Sequence, residues 1–140
     1  MTAMSADSGY FEHGADVGVC GRGADPESAF CAAAGAMFAL MTDPAGIEPR
    51  EALAFEFDEA DLELAFVTWL NLLLSHAADR GLALGRFALE RSGDHWKGTA
   101  RGERWREGLE RGTGVKGATL TMLSVKNEGG AWDARCVVDV

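Results

Sequence analysis

The sequence predicts an α+β fold: a single domain over residues 10–140, behind a tail at 1–9, with two helices packed on a largely antiparallel β-sheet. Three observations carry this. Two segments place apolar residues at helical spacing, seven short runs read as strands, and no internal repeat or linker divides the 140 residues.

Taken in order, Tyr10 to Val19 reads as a short strand, a polar His13-Gly14-Ala15-Asp16 bend, and a second strand ending in Gly21-Arg22-Gly23. Asp25-Pro26-Glu27-Ser28 is a helix start, with Asp placed to accept at the N-cap and Pro at the first helical position. Phe30, Ala33, Ala34, Met37, Phe38 and Met41 then recur at helical spacing up to Thr42-Asp43-Pro44. No charge falls between Glu27 and Asp43, so this helix is expected to be central or interfacial. Leu53 to Asp58 alternates as a half-buried strand does. A second helix from about Asp58–Asp61 to Asp79 has the stripe Leu62, Phe66, Trp69, Leu70, Leu73 and Ala77, and Arg80-Gly81 stops it. Leu82 to Glu90, Trp96 to Gly102, Lys116 to Val125 and Ala131 to Val140 read as further strands, with a hairpin turn at Asn127-Glu128-Gly129-Gly130.

Composition narrows the function classes. Three cysteines without paired spacing argue against a disulfide framework, and neither a secretory leader nor a membrane-length apolar run is visible, so a cytoplasmic protein is expected. The net charge of −9 is asymmetric: 14 acidic and two basic residues up to Asp79, then 8 acidic and 11 basic ones. Such a chain is a poor candidate for strong direct nucleic-acid binding, whereas a cation or a basic protein surface suits its acidic half.

Few residues point to chemistry. Asp16, in a bend between apolar strands, can point at a cation or merely cap the turn. In the last strand Asp139 faces away from the row Trp132, Ala134, Cys136, Val138, and the α-carboxylate of Val140 follows it. These are hard oxygen donors of the kind Ca²⁺, Mg²⁺ and Mn²⁺ prefer, although a solvated terminal Asp is the simpler reading. No Cys/His quartet has zinc spacing, and Cys31 reads as a small core residue. No phosphate loop, nucleophile elbow or His-Glu-x-x-His is present. His76 reads as helix surface and His95 as turn. The run from Trp96 to Lys116 interleaves Lys97, Arg101, Arg104, Arg106 and Arg111 with Trp96 and Trp105, which favours a protein contact slightly over RNA.

Taken together, the residues resemble the archease family over nearly the whole chain, from Tyr10 to Val140. The resemblance rests on Phe11-Glu12-His13-Gly14-Ala15-Asp16-Val17-Gly18, Leu40-Met41-Thr42-Asp43, Asp61-Leu62-Glu63 leading into Trp69-Leu70-Asn71, Arg86-Phe87, Gly102-Glu103, Gly112 to Ala118, and Val138-Asp139-Val140. It implies a small non-catalytic, metal-binding cofactor of the RtcB-type RNA ligase that promotes ligase guanylylation and multiple turnover in tRNA splicing and RNA repair. The family's metal site maps onto Asp16, Asp139 and Val140, with calcium the ion typically seen and Asp61 a weaker contributor. Its lysine, at the ligase interface or on a phosphate, maps onto Lys116. The chain departs from the family pattern at Gly14, at Gly114 and at Leu120-Thr121, where Tyr-His is common. Two rival readings are a metal-dependent hydrolase using His13 with an Asp16/Asp139-bound ion, and an RNA-binding adaptor working through segment 96–116. The apolar first helix leaves a homo-oligomer open.

Overall fold

A computed structural model describes residues 7–140, so most of the expected tail lies outside the described residues. The elements are β1 (Asp7–His13), β2 (Asp16–Gly23), α1 (Pro26–Ala39), a 3-10 turn at Pro44–Gly46, β3 (Glu51–Asp58), α2 (Leu62–Arg80), β4 (Leu82–Ser92), β5 (His95–Arg104), β6 (Gly117–Ala118), β7 (Ser124–Glu128) and β8 (Ala131–Asp139). The α+β class holds, and every pairing is antiparallel, but the strands divide between two sheets. One has the order β1-β2-β8-β6, with β7 also on β8; the other is β3-β5-β4. Among the described residues no helix is long and apolar enough to cross a membrane.

The ends of α1 follow from its sequence. Asp25 Oδ1 accepts from the Ser28 amide at 2.7 Å, the Ser28 hydroxyl faces back to Asp25, and Pro26 sits where its missing N–H costs nothing. Ala29, Phe30, Ala33, Ala34, Ala36, Met37 and Phe38 are all buried, because α1 lies between the two sheets. Its uncharged surface is therefore spent inside the domain. Gly21 permits the close approach: a Cβ there would lie 2.2 Å from the Ala29 carbonyl oxygen. Two indoles anchor the centre. Trp69 donates to the Phe30 carbonyl at 3.0 Å, and Trp96 stacks between Phe30 and Phe57 while donating to Glu59 O at 2.9 Å. For α2, Asp61 is the N-cap and Gly81, at φ 65°, the left-handed stop.

Three expectations need correction. Lys116 to Val125 is not one strand. Ala118 faces Val138 and Ser124 faces Arg135, so six steps on this side answer three along β8. The surplus forms a turn in which Met122 adopts φ 55°. Trp96 is wholly buried, so it cannot serve an interface. The chain also enters β1 at Asp7, three residues before Tyr10, which itself reaches across to donate to the Ala36 carbonyl of α1 at 2.9 Å.

Candidate functional site

The His13-Gly14-Ala15-Asp16 bend is a two-residue hairpin turn: His13 pairs with Asp16, and Gly14 has φ 60°. A glycine with positive φ in the first loop position suits a type II′ turn, whose twist matches the flanking strands. Asp16 is thereby fixed as the first residue of β2. In β2 the odd-numbered residues meet α1, as Val19 and Gly21 do, so Asp16 belongs to the opposite face with Gly18 and Cys20.

β2 pairs with β8 in a register that sets Val17 opposite Val138. One step further along this register Asp16 stands opposite Asp139, and directly opposed residues of an antiparallel pair project to the same face. The two carboxylates, 123 residues apart in sequence, thus share one corner of the sheet. The Val140 amide points at Asp16 Oδ1 at 3.4 Å, which draws the last residue to the same corner. On the other side of β8, the Lys116 amide donates to the Asp139 carbonyl at 2.8 Å, immediately before Gly117 pairs with Asp139. The Lys116 side chain is exposed, and its ammonium makes no ion pair among the described residues. Asp16, Asp139, Val140 and Lys116 are thus brought together by β2, β6 and β8.

Asn71 holds this corner against α2. Its Oδ1 accepts from the Ala118 amide at 2.9 Å and its Nδ2 donates to the Ala118 carbonyl at 3.2 Å. Ala118 is the outward edge of the sheet, and one side chain satisfies both of its backbone groups. The sequence singled out Trp69-Leu70-Asn71 only as part of a pattern. An Asn well inside a helix, about two and a half turns from its start, was the available signal, since its side chain needs a partner off the helix.

The donor set defines what the corner can bind. Two carboxylates with nearby backbone oxygens form a hard, all-oxygen set, suited to Ca²⁺ or Mg²⁺ completed by water and unsuited to a thiolate-bound metal. No group of three His, Cys, Asp or Glu side chains converges at metal-binding distance among the described residues, so His13 and Asp61 do not complete a cage of side chains. Asp61 is instead occupied as the α2 cap, accepting from the Leu64 amide at 3.0 Å.

Elsewhere several of the charged candidates are tied up internally. Arg104 pairs with Glu51, and Arg111 lies over the Trp105 ring at 3.9 Å. Arg106 bonds Glu103, a buried carboxylate that also accepts from the Glu48 amide at 2.6 Å and so fastens the 44–50 loop across the second sheet. The Arg106 bond, then the Glu48 amide, hold the Glu103 carboxyl below its usual range. His76 is half-buried and stacks on Phe55. His95, at the start of β5, bonds Asp58 through Nδ1 at 2.7 Å and Glu56 through Nε2 at 2.6 Å. Those carboxylates, Glu56 foremost, raise its pKa. Burial pushes the Cys31 and Cys136 thiols up to about 12, so neither is a nucleophile or a ready metal ligand.

Comparison with known proteins gives a consistent result. The profile of the Archease protein family (MTH1598/TM1083) matches residues 9–140. The chain is 34% identical to the protein archease of Sulfolobus acidocaldarius over 134 residues, covering 94% of this chain and 96% of that one. Among solved structures it is similar to protein 1598 of Methanobacterium thermoautotrophicum, with 32% identity, a TM-score of 0.80, and coverage of 95% and 98%. It shares its fold with an archease of Thermotoga maritima described as a possible chaperone, at 24% identity and a TM-score of 0.67, covering 93% and 94%.

Proposed function

This chain belongs to the archease family, and on that premise we propose that it is a non-catalytic protein cofactor of an RtcB-type RNA ligase. In this reading it promotes guanylylation of the ligase and so permits multiple turnover in tRNA splicing and RNA repair, in the cytoplasm. Its working part is the corner where Asp16, Asp139 and Val140 hold a divalent cation, calcium foremost, with Lys116 facing the ligase or a phosphate on it.

The observation that carries this reading is the register of β2 on β8, which opposes Asp16 to Asp139 and brings Val140 to the same place. Two like charges on directly opposed residues destabilise a strand pair unless something of opposite charge sits between them. A divalent cation does so, and a free lysine one backbone hydrogen bond away adds a group for a phosphate or an acidic partner. Leu120 and Met122, exposed to 65% and 58%, flank this edge in the turn between β6 and β7 and supply apolar anchors for a protein surface. The rival readings gain less: His13 adds no convergent third ligand, and three of the six cations in segment 96–116, Arg104, Arg106 and Arg111, are already engaged.

The test is multiple-turnover RNA joining by a cognate RtcB-type ligase with and without this protein, alongside a calcium titration of the protein alone. Stimulation beyond one turnover, with calcium binding that Asp16→Ala and Asp139→Ala both lose, is the expected result. A ligase competent for one turnover that this folded protein leaves unstimulated would overturn the proposal.

A further inference from the structure

Of the ten arginines in the chain, eight have a partner within the fold. The two without an ion pair, side-chain hydrogen bond or aromatic partner among the described residues are Arg86 and Arg101, and they stand directly opposite each other on β4 and β5. Two cations in opposed positions repel, and an unliganded sheet gains nothing from the arrangement.

The backbone goes out of its way to create it. Leu84 faces Gly102, but Arg86 faces Arg101, so Gly85 is an extra residue at a β-bulge. In a continuous ladder Gly85 would face Arg101, and Arg86 would face Ala100, which is 1% exposed and part of the core. The bulge thus turns Arg86 out of the core face and sets it beside Arg101, while Phe87 takes the inward place opposite Ala100. Bulges commonly re-aim a side chain in this way next to functional sites. Both arginines line a cleft of about 210 Å³ whose other walls are small or apolar: Pro44, Ala45, Ile47, Pro49 and Gly85. The nearby carboxylates are committed elsewhere, Glu103 to Arg106 and the Glu48 amide, and Glu48 to Arg50.

We infer that Arg86 and Arg101 form a binding site for the phosphate group of a phosphate monoester. Two guanidinium groups present planar, paired donors to a phosphate. Their two positive charges match the charge of about −1.5 to −2 that a monoester carries at neutral pH, whereas a backbone phosphodiester carries a single charge. The overall charge of −9 also fits one local anion site better than a track for a long polyanion. The site lies on the second sheet, on different strands from those bearing Asp16 and Asp139, and is independent of the ligase-cofactor reading.

The experiment follows the thermal midpoint of the full chain in inorganic phosphate against sodium chloride at equal ionic strength. Wild type should rise by about 4 °C at ten times the dissociation constant. Arg86→Ala and Arg101→Ala should lose that phosphate-specific rise while folding as stably as wild type in chloride, since each removes a repulsion. Arg104→Ala, on the same strand but paired with Glu51, should keep it. Anisotropy with 5′-phosphorylated and 5′-hydroxyl oligoribonucleotides then separates the sources. Preference for the phosphorylated end, lost in both variants, assigns the monoester to an RNA terminus; response to free phosphate alone assigns it to a small molecule. Equal rises in wild type and both variants would reduce the effect to general salt exclusion and overturn the site. Equal binding of the two oligonucleotides, dependent on the arginines, would overturn the monoester in favour of the diester backbone.

Discussion

Replacing Asn71 with leucine keeps the branched shape of the side chain and removes both hydrogen bonds to Ala118. Each such bond contributes about 0.5–1.5 kcal/mol, so the pair contributes about 1–3 kcal/mol. For a chain of this size that lowers the thermal midpoint by about 2–4 °C per kcal/mol. The loss should be local as well as global. β6 is only two residues long, Gly117–Ala118, and without Asn71 its outer edge has no partner on α2. Amide exchange at Lys116, Gly117 and Ala118 should therefore accelerate more than exchange in β2 or α1. Because Lys116 and Asp139 are joined through this strand, calcium affinity should weaken although no ligand has been touched. Urea denaturation, site-resolved hydrogen exchange and a calcium titration on one variant measure all three. A destabilisation under about 0.5 kcal/mol, with exchange at Ala118 unchanged, would refute the reasoning, since it would mean that β8 alone holds the corner together.

Other outcomes follow from the same structure. Asp25→Ala removes the carboxylate that accepts from the Ser28 amide and hydroxyl at the start of α1, and should cost about 1 kcal/mol in urea denaturation. His95, whose pKa its Glu56 and Asp58 bonds raise, contributes stability that is fully present below its unfolded value of about 6.5 and fades as pH climbs through the raised folded value. Glu56, lowered chiefly by the same histidine, contributes above its unfolded value and loses this as pH falls. Thermal midpoints should therefore decline above neutrality more steeply in wild type than in His95→Gln, and parallel curves would contradict this. Thiol labelling of the folded protein at pH 8 should begin at Cys20 and leave Cys136 last, because burial raises Cys136 to about 12 while Cys20 is only half-buried. Labelling of Cys136 first, by mass spectrometry, would mean that β8 opens readily.

Much of this fold is legible in the sequence because local physics decides it. The Asp25-Pro26 start, the Gly81 stop and the Leu53-Phe55-Phe57 alternation each act within a few residues, and the structure bears them out. What local signals cannot report is pairing. The turn interrupting Lys116 to Val125 exists because β8 is shared between β6 and β7, and the exposed alternation of that segment gives no hint of three surplus residues. The bulge at Gly85 has a local sign, since a glycine inside a strand often marks one, but its effect, setting Arg86 opposite Arg101, depends on the pairing with β5. Trp96 misleads for another reason. Its neighbours Lys97 and His95 point to solvent, so the segment looks like surface, while the indole itself completes the core. At the candidate site, the residue types were readable one at a time: Asp16 in a bend and Asp139 off the apolar face. Their convergence depends on β2 lying next to β8, a contact across nearly the whole chain. Only the family resemblance linked the two before the structure did so. Asn71 escaped attention because its task, closing a sheet edge, exists only once that edge is in place.

The most direct test of the central claim is GTP-dependent guanylylation of a cognate RtcB-type ligase, measured with wild type, Asp16→Ala, Asp139→Ala and, as a distant control, Arg104→Ala. The account predicts that wild type and Arg104→Ala raise the rate of guanylylation and that each aspartate variant, folded but unable to bind calcium, does not. Stimulation by both aspartate variants equal to that of wild type would contradict it.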